Sequence, residues 1–269
     1  MARSHRSARL AAAPPTAPWG WAVLGAAVGL VFTLVLFAPA RWLAQAVAEA
    51  SGGRVLLEEA RGTVWTGSAR LVLSGGADSR DATALDGRLH WRLRPAFDGL
   101  AATLQADCCM AIPWQLRATP RLNGLRLAVA DADSRWPAAL LTGLGTPWNT
   151  LQPEGQLSLA TEGLSADWNA GRLVLAGRAR LEARDVSSRL STLKPMGSYR
   201  LTLHGGDTAT LQLETLDGAL QLAGSGQWVG SRLHFDGTAS AAPDRVDALS
   251  NLLNIIGRRD GARSLIKVG

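Results

Sequence analysis

The stretch Gly87–Arg94, GRLHWRLR, sets the fold class because its apolar and polar residues alternate strictly. Leu89, Trp91 and Leu93 would point to one side of an extended strand, and the arginines and histidine between them to the other. This alternation is typical of an antiparallel sheet with one buried face and one face in water. The sequence therefore predicts a mainly β domain around this strand.

The same period of two returns from Arg54 to the end of the chain, with Gly, Asp and Asn turns at about ten-residue spacing. We therefore predict an antiparallel meander of roughly a dozen strands that forms a curled sheet. Besides the first stretch, the expected strands include Val55–Leu57, Ala69–Leu73, Trp114–Arg117, Leu125–Val129, Leu157–Leu159, Arg172–Gly177, Arg178–Arg184, Tyr199–His204, Ala209–Glu214, Ala219–Leu222, Arg232–Phe235 and Ser264–Val268.

Three segments interrupt this pattern with helical spacing. Pro39–Ser51 begins with a proline and ends at two glycines, which predicts a short juxtamembrane helix within residues 39–53. We expect it to pack on a membrane or on the first strands. Trp136–Leu144 is predicted to form a second helix. Pro243–Ile256 is predicted to form a third, C-terminal helix that is capped by Asp244.

Residues Trp19–Ala38, WGWAVLGAAVGLVFTLVLFA, contain no charge and are long enough to cross a bilayer as a helix. An arginine-rich leader precedes them, and the first acidic residue is Glu49. Positive flanks stay on the cytoplasmic side, which predicts a membrane protein with a cytoplasmic N-terminus and with everything after Ala40 across the membrane. Residues 1–18 are then a disordered cytoplasmic leader, residues 19–38 a transmembrane anchor, and residues 54–269 a β-domain on the far side of the membrane.

Two alternatives to the anchor stay open. Ala38-Pro39-Ala40 has the small-x-small form of a signal-peptide cleavage site, although the apolar run exceeds the usual length of such a signal. A buried core helix is the other alternative, but the segment is apolar on all sides and not on one face.

The formal net charge of +6 comes mainly from arginines scattered through the expected strands. We interpret them as the wet faces of strands, with attraction to anionic lipid or an acidic partner as the alternative, and we expect no nucleic-acid partner. The two cysteines, Cys108 and Cys109, are adjacent and cannot close a large loop. They are either two small buried residues or a vicinal disulfide, in preference to a redox site.

No arrangement of residues typical of catalysis or cofactor binding is found. HExxH, GxSxG, Walker-type and GxGxxG motifs are absent from the sequence. His90, His204 and His234 fall in strand-like runs, where we expect them on the solvated face. We therefore predict a non-enzymatic protein without cofactor, metal or small-molecule substrate. A hydrolase would require Glu58, Asp86 or one of these histidines to be buried beside a pocket.

Two similar stretches are candidate interaction or fold-defining hairpins. Trp65–Leu71, WTGSARL, is echoed by Trp228–Leu233, WVGSRL. Each has a tryptophan, a Gly-Ser turn and a strand, so the glycine would adopt a positive φ while the tryptophan covers the sheet. Coincidence among many glycine-containing hairpins is the alternative. The candidate residues are Trp65, Gly67, Ser68, Trp228, Gly230 and Ser231.

The order of these segments carries a resemblance. After the apolar span come PARWL from Pro39, SGGRV from Ser51 and ARGTVWTGSARL from Ala60. LAGSGQW from Leu222 and a leucine-rich helix follow near the end. Over about residues 19–257 this resembles protein N of bacterial type II secretion systems, also called general secretion pathway protein N.

The resemblance implies an accessory inner-membrane component of the machinery that exports folded proteins through an outer-membrane secretin. Its expected partners are other type II secretion components, either the inner-membrane platform or the secretin, together with inner-membrane lipid. The family has no catalytic motif to transfer. A weaker similarity to AsmA-like periplasmic proteins implies an alternative function, in which a curled β-sheet handles lipid in an apolar groove.

Overall fold

The computed structural model describes residues 19–169, 171–230 and 232–269. The chain divides into two compact units, which meet between Ala38 and Pro39. The first unit contains helix α1 (Trp19–Leu36), which is long and apolar enough to cross a membrane. The predicted leader, residues 1–18, lies outside the described residues.

The second unit, from Pro39 to Gly269, is mainly β. Its helices are α2 (Ala40–Ala50), a 3-10 helix (Ala138–Leu144), α3 (Trp148–Leu151) and α4 (Val246–Ile256), the last preceded by a 3-10 turn (Pro243–Arg245). The strands are β1 (Val55–Gly62), β2 (Thr66–Ser74), β3 (Ala82–Ala84), β4 (Leu89–Ala96), β5 (Gly99–Ala106), β6 (Trp114–Arg121), β7 (Gly124–Val129), β8 (Ala132–Pro137), β9 (Glu154–Asn169), β10 (Arg172–Ser187), β11 (Gly197–His204), β12 (Thr210–Gly218), β13 (Leu220–Val229), β14 (Arg232–Ala241), β15 (Arg258–Asp260) and β16 (Arg263–Val268).

These strands form one 16-stranded sheet, in which every described pairing is antiparallel. The order along the sheet is β1-β2-β4-β5-β6-β7-β9-β10-β11-β12-β13-β14-β16-β15, while β3 pairs with β2 and β8 pairs with β9. The order follows the sequence almost throughout. The predicted antiparallel meander is therefore confirmed, and within the described residues the sheet does not close into a barrel.

Helix α2 packs on the first strands, which was one of its two predicted partners. It runs against β1 and β2, and its Ala40 is buried together with Ala69 and Trp91. A second cluster gathers around Leu85, Ala106, Cys109, Met110 and Leu140. In a third cluster, α4 buries Leu249, Leu252 and Leu253 against Tyr199, Leu220 and Ala239. One face of the sheet is thus covered by helices, which is the outcome that the alternating pattern predicted.

A crossing segment, residues 138–152, holds distant strands together on this covered face. Its 3-10 helix packs on β2, β3 and β9. The Asn149 amide donates a hydrogen bond to the Asp81 carboxylate (2.9 Å), and the Ser188 hydroxyl donates one to the Leu151 carbonyl (2.5 Å).

These contacts require a curled sheet. Strands β2 and β10 are six positions apart, which is about 29 Å in a flat sheet at ~4.8 Å per strand. Asp81 lies beside the end of β2, where its carbonyl accepts a hydrogen bond from Gly75, and Ser188 directly follows β10. Their partners Asn149 and Leu151 are only two residue steps apart, which is at most about 7 Å. A flat sheet would be too wide for both hydrogen bonds, and the predicted curl is confirmed.

The two ends of the strands differ. We call the end with the turns after β1, β4, β6, β9, β11 and β13 the tip end. The opposite end carries the crossing segment, α4 and the turn after β5. Helix α2 starts beside Thr63 at the tip end and covers β1 and β2, whereas the other covering segments lie at the opposite end.

Three local predictions were wrong in detail. Trp136 and Pro137 end β8, because residues 132–137 pair with β9, and the helix starts only at Ala138. Asp244 does not cap α4: its carboxylate accepts a hydrogen bond from Arg245 Nε (3.0 Å). The tail forms two strands, β15 and β16, where one was expected.

Replacing Gly143 by alanine is expected to destabilise the β-domain by about 1–3 kcal/mol. An added Cβ would lie 2.2 Å from the Leu73 carbonyl oxygen and 2.6 Å from the Thr83 backbone nitrogen. Helix propensity alone predicts the opposite sign, since alanine favours helical backbone over glycine. Urea unfolding of the full chain in detergent micelles measures the change.

Gly206→Ala is the matched control, because the nearest atom to its added Cβ would be 3.9 Å away. We expect this variant to keep or slightly raise the unfolding midpoint. A midpoint for Gly143→Ala that equals or exceeds that of Gly206→Ala would contradict the close fit of the crossing segment.

Candidate functional site

The first candidate hairpin is held by a tryptophan from a neighbouring strand. Trp65 lies in the turn between β1 and β2, and Gly67 lies in β2 opposite Trp91. Trp91 Nε1 donates hydrogen bonds to the carbonyls of Val64 (3.0 Å) and Thr63 (3.3 Å). A Cβ at Gly67 would lie 2.4 Å from the Trp91 indole. Gly67 therefore makes room for Trp91.

The positive φ expected at Gly67 is found instead at Gly62 (φ 91°). Ser68 accepts a hydrogen bond from Arg88 Nε (3.1 Å), which ties this hairpin to the start of β4. The structure thus gives Gly67 and Ser68 a role in shaping the sheet.

The second candidate hairpin is built differently. Trp228 is a strand residue of β13 that pairs with Leu233, and Gly230 has the expected positive φ (65°) in the turn. Ser231 lies outside the described residues. The two hairpins are near opposite edges of the sheet, so the structure does not bring the two tryptophans into one site. A contact role for either hairpin stays a prediction.

An apolar groove lies on the covered face of the second half of the sheet, and its cavity measures about 450 Å³. Crossing-segment residues Trp148 and Leu151 and α4 residues Leu252 and Ile256 contribute to its lining. The strands contribute mainly leucine, together with Phe235, Ile266 and Val268: Leu157, Leu181, Leu201, Leu211, Leu213, Leu220, Leu222 and Leu233. The apolar inner face was predictable from alternation, but its depth was not.

Glycines create space in this groove. Gly224 and Gly237 face each other across β13 and β14, and a Cβ on them would lie 2.5 and 2.9 Å from the ring of Phe235. The ring therefore occupies the positions that their side chains would fill. Glycine inside a strand often marks such a close approach, so the GSG of β13 was a usable sequence signal.

Tyr199 is the titratable side chain among the described residues that line the groove. It is buried, and its hydroxyl has no hydrogen-bond partner in the part of the chain that the structure describes. Burial raises the pKa of the phenol above its ordinary value. The groove lining therefore combines the uncharged Tyr199 phenol and the hydroxyls of Ser187 and Ser188 with apolar side chains.

The opposite face of the same strands is charged and paired. Glu182 Oε1 lies 2.9 Å from Arg200, which also contacts Glu214 at 2.9 Å, and Glu182 Oε2 lies 2.7 Å from Arg184. Hydrogen bonds from Arg184 and Arg200 lower the pKa of the Glu182 carboxyl. The hydrogen bonds that Arg200 donates to Glu182 and Glu214 raise the pKa of Arg200. Arg200 of β11 thereby joins β10 and β12.

The side chains that a hydrolase would need are not gathered beside the groove. Glu58, Asp86, His90 and His234 are exposed, and His204 is half-buried on the face of Arg178, whose Nε lies 3.4 Å from its Nδ1. Among the described residues, no group of three or more His, Cys, Asp or Glu side chains is placed to hold a metal ion.

The adjacent cysteines form the vicinal disulfide that was one of the two alternatives. Cys108 and Cys109 are bonded, with Cα atoms 3.7 Å apart, in the turn after β5. Cys109 packs in the cluster of Met110 and Leu140, while Cys108 is exposed. The bond therefore belongs to the end of the sheet opposite the tip end.

Replacing Glu182 by glutamine is expected to lower the thermal unfolding midpoint at pH 7. Because its folded pKa is lowered, the charged carboxylate stabilises the fold above its ordinary pKa of 4.5, and this contribution is lost as the pH falls through the folded value. The difference between wild type and variant should therefore shrink in acid. Circular dichroism of the full chain in detergent at both pH values measures it.

Glu154→Gln is the control, since its carboxylate lies 3.4 Å from Lys194 with both side chains exposed. Equal losses in the two variants at pH 7, or a Glu182→Gln effect that persists in acid, would contradict the stabilising role of the Glu182 pairs.

The family model described as Type II secretion system (T2SS), protein N matches residues 53–265, which is most of the chain. No curated protein and no solved structure shows significant similarity to it.

Proposed function

Because the chain belongs to the type II secretion system protein N family, we propose that it is an accessory inner-membrane component of that machinery. In this proposal α1 is a permanent single-pass anchor with a cytoplasmic N-terminus, and the β-domain is periplasmic. The role is non-enzymatic: the domain binds other secretion components of the inner-membrane platform or the secretin and assists their assembly. The family match over the β-domain is the observation that carries this proposal.

The sheet edges are the natural docking sites, since an unpaired edge can accept a strand from a partner. The β1 edge is poorly suited to this. A bulge interrupts its register between Glu58 and Arg61, and Glu59 within it has a positive φ (49°). Glu59 is held by Arg70 at 3.1 Å and Arg88 at 3.6 Å. Bulges of this kind block edge-to-edge pairing.

The other edge is more open. The three-residue strand β15 covers only Arg263–Leu265 of β16, which leaves Ile266–Val268 without a strand on that side in the described residues. A groove of about 790 Å³ runs along this edge between residues 256–260 and 265–268. We therefore place the docking site for a secretion component at the free part of β16.

Deleting the gene is expected to lower export of the system's substrates, and a photoreactive amino acid at position 267 is expected to capture a secretion component in native membranes. Lys267 is an exposed residue of the free part of β16. Position 212 is the control, because Gln212 is exposed in the middle of the sheet.

Unchanged export in the deletion strain under all conditions would contradict the accessory role. Equal capture at positions 267 and 212, with export still lowered, would contradict only the docking edge.

A second candidate function is lipid handling, which the apolar groove favours. Its volume and leucine-rich lining suit an acyl chain. Native mass spectrometry of the full chain released from detergent is expected to show bound phospholipid. Leu213→Trp should remove it by filling the groove, because Leu213 belongs to the lining.

Gln212→Trp is the matched control, since Gln212 is the neighbouring residue and points to the opposite face of β12. This variant should keep the lipid. Wild-type protein without phospholipid, or lipid that survives Leu213→Trp in a folded protein, would remove the lipid function.

A further inference from the structure

Two hairpin turns and one strand end at the tip end carry exposed apolar side chains. Phe97, after β4, is 111% exposed, and Leu122, after β6, is 104% exposed. Trp168, at the end of β9, is 52% exposed. Turns normally carry polar residues or glycine, so large apolar side chains there need a reason. We call Phe97, Leu122 and Trp168 the rim.

The rim is one continuous feature of the sheet. The strands that carry it, β4 to β9, are consecutive in the sheet order. Leu125 and Leu173 pair directly with Trp168 on either side and are also exposed. The rim is therefore an apolar patch and not a set of isolated surface residues.

The chain enters the β-domain at the same end. Pro39, the first residue of the domain, pairs with Thr63 in the turn between β1 and β2. Arg92 is the last residue of β4 that pairs with β2. Strand β4 continues for four more residues, so it extends about 13 Å beyond that pair at ~3.3 Å per residue. The turn that carries Phe97 therefore projects past the level at which the chain enters.

The link to the apolar helix is short. Leu36 ends α1, and three residue steps to Pro39 span at most about 10 Å. The covalent link alone therefore keeps the end of α1 within about 10 Å of Pro39.

Unpaired arginines flank the apolar side chains. Arg121 precedes Leu122 and Arg172 precedes Leu173. Both are exposed, and neither forms an ion pair in the described residues, whereas Arg117 is paired with Asp98 at 2.9 Å. Apolar side chains beside free basic groups suit the boundary between acyl chains and anionic headgroups.

We propose that the rim inserts into the headgroup boundary of the membrane that α1 crosses, so that the tip end of the sheet faces the bilayer. The occupant of the patch is lipid. Phe97, Leu122 and Trp168 enter the acyl boundary, and Arg121 and Arg172 contact lipid phosphates. This inference rests on membrane insertion of α1 and is independent of the secretion role.

The test places the photoreactive residue p-benzoylphenylalanine at position 97, 122 or 112 of the full chain. Each variant is reconstituted in vesicles of phosphatidylethanolamine and phosphatidylglycerol. Position 112 is the control, because Ile112 is also apolar and 69% exposed, but lies in the turn after β5 at the opposite end. After illumination, mass spectrometry should find severalfold more phospholipid adduct at positions 97 and 122 than at 112.

Equal adducts at all three positions, or none at 97 and 122 in variants with the wild-type circular dichroism spectrum, would overturn the proposal. Adducts to protein instead of lipid at 97 and 122 in native membranes would also overturn it and would identify the rim as a protein-docking surface. If alkaline extraction releases the full chain from the vesicles, α1 is not an anchor and the proposal is overturned. The gene deletion still tests the secretion role separately.

Discussion

The fold depends on the contact between the crossing segment and strands on both sides of the curl. Gly143 lies so close to the backbone of Leu73 and Thr83 that no side chain fits there. Asn149 and Leu151 extend the same connection to Asp81 and Ser188. Strand pairing alone fixes only the order of the sheet. The crossing segment fixes its curvature, and through Trp148 and Leu151 it also forms part of the groove lining. The curl and the groove therefore share one cause.

Much of the sheet could be predicted because alternation reports directly which strands have one buried face. Within GRLHWRLR, the strand begins at Leu89, its Trp91 is buried, and Arg92 and Arg94 are exposed, as the pattern indicates. The short strands β3 and β15 could not be predicted, because three residues are too few to show an alternating pattern. Trp136 was assigned to a helix because propensity does not register that residues 132–137 complete a ladder on β9.

The candidate sites show where sequence reasoning stops. The pattern around Trp65 predicted a tryptophan covering a glycine turn, but the indole that packs on Gly67 comes from Trp91, 24 positions further along the chain. An alternating pattern predicts which face of the sheet a residue lies on. It does not predict the residue's partner on the neighbouring strand, because that partner depends on the register of the two strands. The groove has the same origin, since Gly224, Gly237 and Phe235 meet only once β13 and β14 are paired. Nothing in the sequence indicates that the Tyr199 hydroxyl lacks a hydrogen-bond partner among the described residues.

The two edges of the sheet are unequal, and this limits the stoichiometry of any assembly built by strand addition. The β1 edge is bulged at Glu59 and met by Pro39 at its end, whereas β16 keeps a free stretch. Head-to-tail stacking of copies needs two accepting edges and would give an open filament. A sheet with a single accepting edge ends after one addition. Strand pairing therefore leads to a closed pair, either with one partner or with a second copy related by a two-fold axis.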